Sequence, residues 1–177
     1  NVIGSTGSNY TSAPTYATAR DGLIAGMDGD DVAQNYLPTT STIPVRYDAS
    51  AATITNENRV FVTIANFNAA LGSVGGSAAN MQFNTQFPFD FDPSDGITGG
   101  MMDFQSVVAH EVGHALGFVS GVDFRTNDME MLDLFRFQRT DGAGDYNPDT
   151  LDEFQTTPRT LDFNNLNNDA NSDIISG

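Results

Sequence analysis

Apolar positions along this chain fall into short runs of differing period, separated by stretches rich in Ser, Thr, Gly and Asn. From Pro14 to Met27, Tyr16, Ala19, Leu23, Ile24 and Met27 recur at helical spacing, which predicts an amphipathic helix closed by Asp28 and Gly29. Asp30 or Asp31 can cap a short second helix running to Tyr36, before Pro38. Upstream, NVIGSTGSNYTSAPT reads as loop. Thr39 to Asn58 shows little helical pattern, and IPVRYD within it reads as an extended piece. RVFVT, Arg59 to Thr63, has the β-branched and aromatic residues of a short strand, and Thr63 can cap a helix through Leu71 with Gly72 as its stop. NMQFN, Asn80 to Asn84, is expected as a strand near the helix that follows.

That helix is capped by Asp103, carries Phe104, Val107, Val108, Ala115 and Phe118 on its apolar side, and ends at Gly117 and Gly121. MEMLDLFRF is expected to pack beneath it as a short helix or strand, with Met129 and Met131 in the core. Residues 138–177 form a loop-rich tail, too polar to build much core. No repeat recurs at a fixed period. The pattern predicts one α+β domain with a small mixed sheet, a central helix and long loops.

Composition narrows the partners. There is no lysine, and 7 arginines face 23 acidic residues for a net charge of −16, a surface that repels nucleic acid and anionic membranes and suits a secreted or cell-envelope protein. No apolar run approaches the ~18 residues of a membrane span, and any export signal is expected to have been removed already. Without cysteine there are no disulfides and no thiolate ligands, which leaves imidazole and carboxylate for metal chemistry. Asp90, Asp92 and Asp95 in FPFDFDPSDG offer oxygens to Ca²⁺ or form an aspartate-rich turn; their spacing is not that of an EF-hand.

The only two histidines, His110 and His114, stand four apart on the helix, with Glu111 after the first. Positions i and i+4 share a helix face, so two imidazoles there can grip one metal ion. Two histidines and four glutamates scattered at random produce HExxH roughly once in several thousand trials. Zn²⁺ held by two neutral imidazoles and one further ligand keeps a position for water and lowers its pKa; Glu111 would take that proton and pass it to a leaving amine.

HEVGHALG resembles the metzincin clan of zinc metalloproteases, whose HExxHxxG is matched at His110, Glu111, His114 and Gly117. The longer DFQSVVAHEVGHALGFVSGVD, followed by LDLFR at Leu132 to Arg136, is similar to a family of secreted bacterial predicted metalloproteases. The resemblance implies a zincin-like fold. In the metzincins a third ligand stands where this chain has Ser120, which is a departure. Asp123 is the expected replacement as a third zinc ligand, with Asp128, Glu130 and Asp133 as competitors, and a cap or a partner orienting His114 as its other roles. The family also has segments before and after this stretch, so a processed piece is expected, associated with the rest of its own precursor.

The expected function is that of a secreted zinc endopeptidase acting on protein or peptide, with the edge strand NMQFN pairing with extended substrate. The alternative is an extracellular surface or matrix protein on a protease-like scaffold, with structural or lost metal and calcium-binding acidic loops. A third class is a zinc hydrolase of esters or glycan-linked peptides.

Overall fold

The structure, a computed structural model, describes residues 2–29, 33–46, 55–121, 129–135 and 161–162. Along the chain it contains β1 (Gly4–Ser8), α1 (Tyr16–Ala25), β2 (Ile43–Arg46), β3 (Thr55–Glu57), α2 (Ile64–Ala70), β4 (Ala79–Phe83), β5 (Phe89–Asp90), β6 (Met102–Asp103), α3 (Phe104–Ala115) and β7 (Leu161–Asp162). Three sheets are small: β1 with β4 antiparallel, β3-β2-β7 mixed, and β5 with β6 parallel. No described helix is long and apolar enough to cross a membrane.

The N-terminal stretch expected as loop contains β1, which pairs with β4 from Gly4 opposite Phe83 to Ser8 opposite Ala79. Its Gly, Ser and Thr residues have weak strand preference of their own; pairing with β4 and packing on α3 decide the conformation. Asp30 and Asp31 lie outside the described residues, and Ala33–Tyr36 is a single 3₁₀ turn where a helix was expected. In the supposedly loop-rich tail, the two described residues, Leu161–Asp162, form β7 alongside β2.

The helices begin where short polar side chains relieve the unpaired N–H groups of the first turn. Thr15 accepts from the Thr18 N–H at 3.2 Å, Thr63 from that of Asn66 at 3.1 Å, and Asp103 from that of Gln105 at 3.0 Å. The core gathers Tyr16 and Ala19 of α1, Ile43 and Val45 of β2, Val60 and Val62, and Met129, Met131 and Leu134. Residues 59–63 run through it as an extended thread. Arg59, Phe61 and Thr63 each form a single bridge, to Thr15, Glu130 and Tyr10, while Val60 and Val62 between them are fully buried.

α3 contributes nothing to that core. Its one buried side chain is Glu111, while Phe118, expected on the apolar side, is 59% exposed. The helix rests on the β1–β4 ribbon, where Gly4, Thr6 and Ser8 of β1 are small and the two hydroxyls donate to its carbonyls, while Phe83 of β4 meets its N-terminal end. At its N-terminal end the Phe104 ring lies 4.8–5.2 Å, centroid to centroid, from Phe83, Phe89 and Phe91, a tilted aromatic cluster.

The acidic loop before α3 caps itself. Asp90 accepts from the N–H groups of Asp92 and Thr98, at 3.1 and 2.8 Å, and Asp92 from that of Ser94 at 3.2 Å. Hydrogen bonds from Thr98, and then from Asp92, hold the Asp90 carboxyl below the ordinary carboxylate range. A depressed folded-state pKa gives stabilisation that is complete above the unfolded value, about 3.9, and lost as pH falls through the folded one. Urea midpoints should therefore show Asp90→Asn less stable than wild type at neutral pH, with the gap closing below about pH 4.

Candidate functional site

α3 carries its two histidines outward and brings their rings together. The His110 and His114 centroids are 4.6 Å apart with the planes at 89°, and the two Nε2 atoms are separated by 3.1 Å. His114 Nδ1 lies 3.0 Å from the Phe118 carbonyl oxygen. That oxygen only accepts, so Nδ1 carries the hydrogen, and in the neutral ring Nε2 of His114 then presents a lone pair. At 3.1 Å the nitrogens face each other across either one proton or one cation. Tetrahedral Zn²⁺ with arms of about 2.0–2.1 Å sets two ligand nitrogens about 3.3 Å apart, so the pair fits such an ion. A ring nitrogen held by a backbone carbonyl is also the usual support of a metal-binding imidazole.

The carbonyl that does this belongs to the turn closing α3. Gly117 donates to the His114 carbonyl and Phe118 to the Gly113 carbonyl, both at 3.0 Å, the paired bonds of a Schellman turn. Such a turn needs a left-handed residue, and Gly117 has φ +95°. Space favours glycine as well: a Cβ there would overlap the end of the Asn66 side chain. Asn66, on α2, fills that side and donates from Nδ2 to the Gly117 carbonyl at 3.0 Å.

Glu111 points between α3 and β1 and is only 5% exposed. It fits because β1 has no side chain at Gly4, where a Cβ would lie 3.0 Å from Glu111 Oε1. The other oxygen, Oε2, is buried with no hydrogen-bond partner. The β1 hydroxyls hold the helix backbone beside it: Thr6 donates to the Glu111 carbonyl at 3.0 Å and Ser8 to that of His114 at 2.8 Å.

Asp123 and Asp128 lie outside the described residues. Glu130 and Asp133 are described, and both are buried and engaged elsewhere. Glu130 accepts from the Tyr10 hydroxyl at 2.7 Å. Asp133 accepts from the Ser120 hydroxyl at 2.6 Å and from the N–H groups of Gly121 and Glu130 at 2.8 and 3.0 Å. Ser120 thus ties the segment after α3 to the core. Among the described residues, no three His, Asp or Glu side chains are grouped around a possible metal. Met129 and Met131 are buried in the core, as expected.

Sequence reasoning missed Gly4, Thr6 and Ser8, although their spacing of two was a sign of one strand face. It also missed Asn66 and the Asp133 clamp, for which no local signal exists. A recess of about 140 Å³ lined by Asn66, Gly117, Phe118, Met131, Leu132 and Phe135 opens beside the turn. Comparisons with family models, curated proteins and solved structures gave no match to this chain.

Gly117→Ala should lose about 1–2 kcal/mol from the left-handed backbone alone, and more from the collision with Asn66, as read from denaturant midpoints. Asp133→Ala strands two backbone N–H groups and is expected to cost at least as much, at about 1–3 kcal/mol for each buried group left unsatisfied.

Proposed function

We propose that this chain is a secreted zinc-dependent endopeptidase with a zincin-like fold, in which His110 and His114 hold the metal and Glu111 is the general base. The observation that carries the reading is the convergence of the two Nε2 atoms at 3.1 Å, with His114 oriented through Nδ1 by the Phe118 carbonyl. Asp123 is the third ligand in this reading, its closeness in sequence to the end of α3 being the reason.

Held by His110 and His114, Zn²⁺ would supply a Lewis acid for the scissile carbonyl and for water. Glu111 accepts the proton of the attacking water and returns it to the leaving amine nitrogen. Its Oε2 has no hydrogen-bond partner, so that oxygen is not committed to another group. Among the described residues β4 pairs only with β1, so its second edge offers N–H and C=O groups to an extended peptide. The apolar recess beside the Gly117 turn suits a substrate side chain of the same character. The lysine-free, acidic composition supports an extracellular setting.

Purified protein should take up one zinc ion per chain and hydrolyse a denatured protein substrate, with hydrolysis abolished by a chelator. Glu111→Gln should keep the zinc and lose about 10²–10⁴ of the rate. A Glu111→Gln variant as active as wild type, or a wild-type chain that takes up no zinc, overturns the reading. The latter result favours a scaffold whose metal is lost.

A further inference from the structure

We propose that Asn66 is a positioning residue for the histidine pair, acting on His114 through the turn that closes α3. The inference rests on the metal-binding reading of that pair but concerns a residue outside the HExxHxxG motif, 51 positions from Gly117.

The peptide unit between Gly117 and Phe118 is held at both ends. Its oxygen accepts from Asn66 Nδ2 and its N–H donates to the Gly113 carbonyl, each at 3.0 Å. With that plane fixed, only the φ and ψ rotations of Phe118 separate it from the Phe118 carbonyl, the group that lies 3.0 Å from His114 Nδ1. The Asn66 amide therefore anchors the unit from which the acceptor extends, and the acceptor favours hydrogen on Nδ1 of the imidazole. A lone pair on Nε2 of His114, aimed at His110, follows from a hydrogen on Nδ1.

Asn66 is suited to this task by its own anchorage. Its backbone N–H donates to the Thr63 hydroxyl at 3.1 Å, in the first turn of α2. Thr63 is 1% exposed, bridges Tyr10, and is followed by Ile64, whose N–H donates to the Asn9 carbonyl at 2.8 Å. The amide thus projects from a helix start fixed on two sides. Its Oδ1 lies where a Gly117 Cβ would be, so the residue matches the turn in shape as well as polarity.

The test uses the full chain and has two readouts. With only two histidines, long-range ¹H–¹⁵N spectra of the metal-free protein report each tautomer separately. His114 should be Nδ1–H in wild type, and should shift toward Nε2–H in Asn66→Ala and in the isosteric Asn66→Asp, which replaces the donor by an acceptor. Zinc affinity, measured by competition with a chromogenic chelator, should fall about 10–100-fold in both variants. A merely structural role would lower the unfolding midpoint while leaving the tautomer of the folded protein unchanged. That result, or affinity within a factor of two of wild type, overturns the proposal. An Nε2–H His114 in the wild-type protein overturns it with no variant needed. If the wild type takes up no zinc, the metal reading fails on its own, and the tautomer comparison still decides the role of Asn66.

Discussion

The site depends on a backbone conformation open to very few residues. At Gly117 the chain turns left-handed with the Asn66 amide pressed against the α-carbon. From that turn follow the end of α3, the position of the Phe118 carbonyl, and through it the orientation of His114. A β-carbon would disturb all of these together, because the strain and the collision fall on the same atoms. The glycine of the motif is as much a part of the site as the histidines.

The histidine pair lies away from the apolar core, and its precision is borrowed. α3 buries one side chain, a glutamate, so packing alone does not fix the helix. It is held instead by directed bonds on three sides: β1 hydroxyls to its carbonyls, Asn66 to its closing turn, and Asp133 to Ser120 and Gly121 just beyond. Asn66 and Asp133 belong to elements whose neighbouring residues, Phe67 and Leu134, pack in or on the core. Hydrogen bonds hold a direction more tightly than apolar contact does, which suits a helix whose outer face must stay open.

What was legible in the sequence was what is local. The spacing of His110, Glu111 and His114, the caps Thr63 and Asp103, and the stop at Gly117 depend on neighbours within about one helical turn. β1 was not legible, since Gly, Ser and Thr gain strand structure only from β4 and α3. Nor were Asn66 and Asp133, whose partners are fixed by tertiary structure alone. The placement of Phe118 failed for a related reason: helical periodicity gives a face but not where the helix stops, and Phe118 lies past the end of α3 and is exposed.

The β1 hydroxyls meet α3 across 105 and 106 positions. Closing so long a loop carries an entropy cost that no local contact offsets, and topology of this kind slows folding. The glutamate therefore acquires its sheltered setting only after the early part of the chain has returned to cover it. During synthesis β1 emerges well before α3, and the two can meet only once the helix has followed. Burial of Glu111 is thus among the later events of assembly, and a chain caught short of that closure would carry the motif with its glutamate still open to water.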